Sequence, residues 1–274
     1  MSALLRLSSL LAIGAAVAVG GCALNRLPVP DSIDREHPML MLLAYAIVHA
    51  HWQGGDTAPS DYRGYNIGSV LVDPNGIPVH AAVNANTCSV DGTQHGEVRL
   101  LRDFLSSSAA RYADGYSVYT TLEPCVMCTG LMTMAKVSFV VHGQLDPEFG
   151  GAHDRLNVGV SRSANIPDSA GPEWRRAYPR LFSMKGSSTS IRQSLEMAYR
   201  EAKLADSSLF VGTWLHSQQA ERLFAEAHRQ FCNYSLTSPY ERAVRTAADS
   251  LRVRGCLGVP PTEPVGLCST SANP

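Results

Sequence analysis

The sequence predicts an α/β fold, a three-layer α-β-α sandwich with a central mixed sheet of about five strands and a C-terminal helical extension. The turn sequence DPNG at 73–76 separates two strand-like apolar runs, which is typical of a β-hairpin. Further along, strand-like runs alternate with helix-like runs, and strands linked by helices of this length pair in parallel. The chain has 274 residues with 45% hydrophobic content, which is enough for one large core.

The first half of the chain contains most of the regular pattern. The predicted elements are, in chain order, a helix from 34–38 to about 53, strands at 65–72 and 77–84, a helix at 95–107, a strand at 115–122, a helix at 124–135 and a strand at 136–143. Asp and Pro favour the start of the first helix. In the second helix Val98, Leu101 and Leu105 recur at helical spacing. The run at 115–122 is rich in β-branched and aromatic residues, as strands are.

The second half is less regular. The range 146–178 contains several Gly and Pro residues with little periodicity, which predicts a long loop. A short strand is predicted at 180–185, and helices are predicted at 190–204, 216–233 and 239–254. The tail after residue 255 is rich in Pro, Gly, Ser and Thr.

The amino terminus has the pattern of an export signal. Arg6 precedes an apolar run at 10–19, which is too short to span a membrane. The string VGGC at 19–22 resembles the lipobox of bacterial lipoproteins. That resemblance implies a lipidated Cys22 and a lipid-anchored protein of the bacterial cell envelope, facing the periplasm. The alternatives are an ordinary signal peptide with a chance cysteine, or a start codon assigned too early.

Charge argues against a nucleic-acid partner. Charged residues make up 17% of the chain, the net charge is −1, and no tract of Lys or Arg stands out. Nucleic-acid binders usually carry a basic footprint. A basic patch that forms only in three dimensions stays open as an alternative.

A cluster of metal-ligand types lies in the middle of the chain. Cys125 and Cys128 are three residues apart at the start of a predicted helix, whose positive N-terminus favours thiolates. His95 opens the preceding helix, and both helix starts are expected at one edge of the sheet. A catalytic zinc takes three protein ligands and leaves one position for water. Glu97, in the same first turn as His95, is then a candidate base beside that water.

The same residues carry a family resemblance. HGE at 95–97 followed by PCVMC at 124–128 resembles the zinc-dependent cytidine/deoxycytidylate deaminase superfamily. The longer string TLEPCVMC at 121–128 is similar to tRNA adenosine deaminases and to cytosine and guanine deaminases. The resemblance covers roughly residues 38–147 and implies the cytidine deaminase-like sheet.

The resemblance implies roles for individual residues. His95, Cys125 and Cys128 would bind Zn²⁺, and Glu97 would be the catalytic proton shuttle. Asn84 would hydrogen-bond the substrate base, with Asn86 as a competing candidate. Zinc-bound water would then attack the amine-bearing carbon of a nucleobase, nucleoside or similar amino-heterocycle, and ammonia would leave. Related enzymes are often dimers, so a homodimer is also expected from the resemblance.

Two further functions stay open. One is a nucleic-acid deaminase of the tRNA adenosine type, which would need a cationic channel from four arginines, Arg155, Arg162, Arg175 and Arg176. The run VDGTQ before the HGE motif lacks the Asp-Pro pair common in tRNA deaminases. This difference weakens the inference that the chain shares their RNA substrate. The other is a non-enzymatic envelope protein that keeps the deaminase fold and a structural zinc.

The predicted domain organisation follows from these parts. It comprises a lipoprotein signal peptide at 1–21, a tether at 22–33, a deaminase-like catalytic domain at 34–205, and a helical extension with a tail at 206–274.

Cysteine pairing is the last expectation. The chain has seven cysteines, and setting aside the lipidated Cys22 and the two metal ligands leaves four. In an oxidising compartment these four could form two disulfides, with three possible pairings. The remaining four are Cys88, Cys232, Cys256 and Cys268. The pair Cys256–Cys268 is favoured because the two flank one loop. Alternatively, Cys88 and Cys232 are simply buried small residues.

Overall fold

A computed structural model describes residues 37–156, 182–254, 256 and 267–268. The predicted signal peptide, the lipidation site Cys22 and the tether lie outside the described residues. Most of the predicted loop at 146–178 lies outside them as well, as does most of the tail.

Helices and strands alternate through the first half of the chain as predicted. In chain order the elements are α1 (Pro38–Ala50), β1 (Gly68–Val72), β2 (Pro78–Val83), α2 (Gly96–Ser107), β3 (Ser117–Leu122), α3 (Val126–Met134), β4 (Phe139–Gln144), β5 (Ser183–Gly186), α4 (Ser190–Ala205), α5 (Val211–Trp214), α6 (Gln218–Cys232), α7 (Pro239–Ser250) and β6 (Val253–Arg254). Two of these, α5 and β6, were not predicted. Both are too short for a periodic pattern to emerge.

The sheet is mixed, as predicted. Its strand order is β5-β4-β3-β1-β2-β6. Strand β1 is antiparallel to β2 and β3, whereas the β3–β4, β4–β5 and β2–β6 pairs are parallel. The sheet has six strands rather than about five because the predicted helix at 239–254 ends at Ser250, and the chain then adds β6 beside β2.

The hairpin turn forms for the reason that its sequence indicates. The Asp73 carboxylate accepts hydrogen bonds of 2.8 Å from the backbone N–H groups of Asn75 and Ile77. Gly76 adopts φ +80°, a left-handed conformation that glycine reaches without strain. The turn therefore sets the register in which β2 returns along β1.

Helices cover both faces of the sheet, which confirms the three-layer prediction. On one face α1 is buried along nearly its whole length and packs with α4, α6 and α7 in one apolar cluster. Tyr45 of α1 meets Phe224 of α6 edge to face, with ring centroids 5.2 Å apart. Helices α2 and α3 pack on the other face. The helices of the predicted C-terminal extension thus share a core with the predicted catalytic domain.

Two disulfides link the described residues, Cys88–Cys256 and Cys232–Cys268. The favoured pair Cys256–Cys268 is therefore wrong, and so is the alternative of unpaired Cys88 and Cys232. The reason is tertiary. Strand β6 runs beside β2 and delivers Cys256 to the loop that follows β2, while residues 267–268 return to the end of α6.

Within the described ranges, no helix combines the length and the apolar character that crossing a bilayer requires.

Candidate active site

Two helix starts converge at one edge of the sheet. His95 is the N-cap of α2 and Cys125 is the N-cap of α3, and both have extended backbone conformations. Neither side chain makes a capping hydrogen bond to its own helix. Both side chains therefore remain available to each other at the positive ends of two helices.

The three predicted ligands lie together. His95 Nδ1 lies 3.7 Å from Cys125 Sγ and 3.6 Å from Cys128 Sγ, and the two sulfurs lie 3.6 Å apart. In a tetrahedral zinc site with Zn–S bonds of about 2.3 Å and Zn–N bonds of about 2.0 Å, neighbouring donors lie about 3.5–3.8 Å apart. The described residues thus contain a His/Cys/Cys group that could hold a metal ion, and its spacing fits zinc.

The electrostatics of this group also suit a cation. The contact with Cys128, helped by His95, lowers the pKa of the Cys125 thiol to about 4. The same contact, together with burial, raises the pKa of Cys128 well above its ordinary value. These opposite shifts favour a single negative charge shared by the pair, and a divalent cation would displace the remaining thiol proton on binding.

Glu97 lies beside this group and is 3% exposed. Thr120 Oγ1 donates a hydrogen bond of 2.9 Å to Glu97 Oε1, and Cys128 Sγ lies 3.4 Å from Glu97 Oε2. Burial raises the pKa of the Glu97 carboxyl. A carboxyl group with a raised pKa can both accept and return a proton near neutral pH.

Asn84 is fully buried at the end of β2. Its Oδ1 accepts a hydrogen bond of 2.7 Å from the N–H of Gly96, whereas its Nδ2 has no hydrogen-bond partner among the residues that the structure describes. Asn84 lines the cleft described next, and the competing candidate Asn86 is not among the residues that line it. The unpaired amide nitrogen is thus a donor available at the cleft, because a buried donor without a partner is costly unless a ligand satisfies it.

Two of the predicted ligands, His95 and Cys125, border one cleft of about 630 Å³ together with Glu97 and Asn84. Its described lining consists of Tyr65, Ile67, Asn84, Gly92, His95, Glu97, Leu122, Glu123, Cys125, Val126, Met127, Asp146, Phe149, Phe210 and Gly212. Cys128 is fully buried and is not part of this lining. A cleft of this volume suits a small ligand.

Sequence reasoning missed the aromatic wall of this cleft. The ring centroids of Tyr65 and Phe210 lie 5.6 Å apart, and those of Phe210 and Phe149 lie 5.9 Å apart. Phe149 is 58% exposed. Phe210 immediately precedes the short helix α5 and stands in no motif, so no sequence signal marked it.

Sequence reasoning also assigned no role to Glu123, although it stands inside the TLEPC string. Its carboxylate accepts hydrogen bonds from the N–H groups of Asp146 (3.2 Å) and Gly151 (2.9 Å). A side chain at Gly150 would collide with the Glu123 carboxylate. Glu123 thus fixes the turn at 146–151, which places Asp146 and Phe149 in the cleft wall.

The cationic channel of the nucleic-acid alternative lies mostly outside the described residues. Of its four arginines only Arg155 belongs to the described residues, and it is not among the residues that line the cleft. Arg162, Arg175 and Arg176 lie outside the described residues.

Comparison with known proteins identifies the middle of the chain. Residues 46–144 match the family model described as the cytidine and deoxycytidylate deaminase zinc-binding region. A tRNA-specific adenosine deaminase of Bacillus subtilis (strain 168) is 32% identical over 92 residues, which are 34% of this chain and 56% of the relative. One of Aquifex aeolicus (strain VF5) is 27% identical over 92 residues, covering 34% of this chain and 60% of the relative.

The chain thus spans 56% to 60% of the length of these two curated relatives. Among solved structures, guanine deaminase from Bacillus subtilis is 21% identical with a TM-score of 0.35, covering 60% of this chain and 94% of that one. The predicted resemblance is confirmed for residues 46–144, and the predicted zinc cofactor is confirmed by the zinc-binding region and by the His/Cys/Cys group within it.

Proposed function

Since residues 46–144 form a cytidine and deoxycytidylate deaminase zinc-binding region, we propose that the chain is a zinc-dependent hydrolytic deaminase. Its proposed substrate is a free nucleobase, a nucleoside or a similar small amino-heterocycle. One observation carries the proposal. His95 and Cys125 of the His/Cys/Cys group, the buried Glu97 carboxyl group, and an amide donor of Asn84 that has no partner among the described residues all border a single cleft of about 630 Å³.

In this proposal each residue has a defined task. His95 Nδ1 and the sulfurs of Cys125 and Cys128 hold the zinc. When bound there, zinc supplies a lowered pKa for water at its open position. Glu97 would pass one proton of an attacking water to the ring nitrogen and the other to the amine. The water oxygen would bond to the ring carbon as the C–N bond breaks, and the amine would leave as ammonia. Asn84 Nδ2 donates a hydrogen bond to an acceptor atom of the heterocycle.

The cleft wall supports a small, planar and uncharged substrate. The rings of Tyr65, Phe149 and Phe210 form one side of it, and aromatic side chains favour flat heterocycles through stacking. The carboxyl groups of Glu123 and Asp146 belong to the same lining. Acidic groups in the wall disfavour a phosphate, so a base or nucleoside suits the cleft better than a nucleotide.

A second candidate is a deaminase that acts on an RNA. It is favoured by the two relatives, which are tRNA-specific adenosine deaminases. The net charge of −1 and the acidic cleft wall argue for the small substrate instead.

We also propose that the protein is exported and anchored to the bacterial envelope through a lipid on Cys22. The two disulfides support an oxidising compartment, since such bonds are rare in the cytosol of mesophiles. Labelled palmitate should enter the wild-type protein expressed in a bacterial host and should not enter a Cys22→Ala variant. Equal labelling of the two proteins would overturn the lipid anchor. The homodimer stays a proposal that sedimentation of the purified protein would test.

The deciding experiment measures ammonia release by the zinc-loaded protein without its leader. Adenine, guanine, cytosine and their nucleosides serve as substrates, and a Glu97→Gln variant serves as the control. The small-substrate proposal expects turnover of at least one compound by the wild type alone. If a tRNA anticodon stem-loop is deaminated and none of the small compounds is, the RNA deaminase replaces the small-substrate proposal. If nothing in either set is deaminated while zinc is bound, the non-enzymatic alternative is favoured.

A further inference from the structure

Arg63 is a buried cation whose location is not explained by an ion pair. The residue is 9% exposed, and no salt bridge joins its side chain to a carboxylate in the part of the chain that the structure describes. Burial and then the nearby Arg99 lower the pKa of the Arg63 guanidinium to about 10. Burying an unpaired cation costs free energy, so the position calls for a specific role.

The contacts of Arg63 converge on the end of β2. Its Nε donates a hydrogen bond of 2.8 Å to the carbonyl of Asn84, and one terminal nitrogen donates to the carbonyl of His51 at 3.1 Å. The backbone carbonyl of Arg63 accepts from the N–H groups of Thr87 (3.0 Å) and Cys88 (3.1 Å). Arg63 therefore holds the chain on both sides of the bend that follows β2.

Asn84 is where this clamp meets the cleft. Its backbone N–H bonds to the carbonyl of Ile67, and its Oδ1 accepts from Gly96 at the start of α2. With its carbonyl held by Arg63, the main chain of Asn84 is fixed at both ends of the residue. The direction of the unpaired Nδ2 is thus set by three hydrogen bonds, of which one comes from Arg63.

We propose that Arg63 is a positioning residue that orients the substrate-binding amide of Asn84. The inference rests on the proposed function for its substrate, but the geometry of the clamp is independent of it. Only a guanidinium offers donors in a fixed fork that reaches both the Asn84 and the His51 carbonyls at once. A lysine supplies charge without that fork, and a methionine supplies neither.

The test compares Arg63→Met with a matched control. Arg245 also donates from its guanidinium to two backbone carbonyls, those of Phe231 and Cys232, but neither of these two residues lines the cleft, whereas Asn84 does. With the best compound of the ammonia-release panel, Arg63→Met should raise KM about tenfold, the effect of losing one well-placed hydrogen bond. Its kcat should stay within about threefold of wild type. Arg245→Met should lower the melting temperature and leave KM unchanged.

A double-mutant cycle separates positioning from general damage. In an Asn84→Ala background Arg63→Met should raise KM no further, because the amide that it positions is gone. Additive effects of the two substitutions would overturn the proposal. The KM of Arg63→Lys should lie between those of wild type and Arg63→Met. Arg63→Lys replaces Arg63→Met in these experiments if Arg63→Met does not fold.

Hydrogen exchange gives a readout that needs no activity. In Arg63→Met the backbone amides of residues 84–96 should exchange faster than in wild type, including the N–H of Gly96 that bonds to Asn84. If Arg63→Met does not fold, the same result is expected of Arg63→Lys. Arg245→Met should leave this peptide unchanged. Unchanged exchange in the Arg63 variant would overturn the proposal whether or not a substrate is found. Faster exchange with no ammonia release by the wild type would retain the clamp and reject the proposed function.

Discussion

The Thr120 hydroxyl donates a hydrogen bond of 2.9 Å to Glu97 Oε1, and both side chains are buried. Thr120 belongs to β3 and Glu97 to the first turn of α2. Strand β3 therefore orients the Glu97 carboxyl group that helix α2 supplies. The other carboxyl oxygen, Oε2, lies next to Cys128 Sγ. In the proposed reaction, this contact keeps the proton-transferring oxygen beside the metal ligands.

Replacing Glu97 with Gln should abolish proton transfer and keep the fold. The amide oxygen of Gln can still accept the Thr120 hydrogen bond, whereas the amide cannot shuttle a proton. We expect kcat to fall by about 10²–10⁴-fold, the usual contribution of general acid–base catalysis. Ammonia release, zinc content and melting temperature would be measured together. Thr120→Val is the graded control, with a smaller loss of kcat, and full activity of Glu97→Gln would refute the mechanism.

Removing one sulfur should release the metal. Cys128→Ser replaces a buried soft ligand with a weaker one, so zinc per chain should fall well below the wild-type stoichiometry. A chelator should lower the melting temperature of the wild type, and added zinc should restore it. Elemental analysis and thermal unfolding provide the readouts. A Cys88→Ser/Cys256→Ser double variant leaves the His/Cys/Cys group intact and should retain zinc. Loss of zinc from this double variant would contradict the assignment of His95, Cys125 and Cys128 as the ligands.

The two disulfides should stabilise the protein independently of the metal. Cys88–Cys256 joins residues 168 positions apart, and Cys232–Cys268 joins residues 36 apart. Loss of a native disulfide typically costs about 2–5 kcal/mol, more for the longer loop in the chain-entropy model. Denaturant unfolding of each double-serine variant would give the two values. Equal stability of wild type and both variants would argue that the pairs do not form.

Acid should weaken the contact between α1 and α6. His49 and His228 approach with their Nδ1 atoms 2.9 Å apart, and His228 Nε2 bonds to the carbonyl of Leu267. Both bonds are satisfied when His49 donates from Nδ1 and His228 donates from Nε2, with both rings neutral. Burial lowers the pKa of both histidines, with the partner His228 and then Arg229 adding to the effect on His49.

The sign follows from proton linkage. An unfolded histidine has a pKa of about 6.5, so below that pH the unfolded chain binds protons that the folded chain does not. The stability contributed by neutral His49 and His228 is present above about pH 6.5 and decreases as the pH falls towards their lowered pKa values. Unfolding free energies measured between pH 7.5 and 5 should decline, and His228→Gln should reduce the slope. An unchanged slope in His228→Gln would show that this pair does not titrate on folding.

Phe210 should influence substrate choice. Its ring contacts Tyr65 and Phe149 in the cleft wall, so Phe210→Ala removes the middle of that wall. We expect a higher KM for the preferred base and a relative gain in kcat/KM for the bulkier nucleoside. Phe210→Tyr keeps the ring and should behave like wild type. Steady-state kinetics with matched base and nucleoside pairs provide the measurement, and an unchanged ratio in Phe210→Ala would exclude the role.

Much of the architecture could be predicted because local physics decides it. The DPNG turn, the helical spacing of Val98 and Leu101 and the alternation of strands with helices depend on neighbours in the chain. These signals were sufficient for the mixed sheet, its flanking helices and the elements that carry the HGE and PCVMC motifs. Strand β6 and helix α5 escaped prediction because two and four residues are too few to show a period.

By itself, the sequence determined which residue types stand at the two helix starts and therefore which metal suits them, since side-chain chemistry and spacing along one chain suffice for that. Only the tertiary structure decided which cysteines pair, that Phe210 closes the cleft wall, and that Arg63 clamps Asn84. Each of these joins segments that are distant in sequence. Such contacts depend on how whole helices and strands pack, which no local pattern encodes.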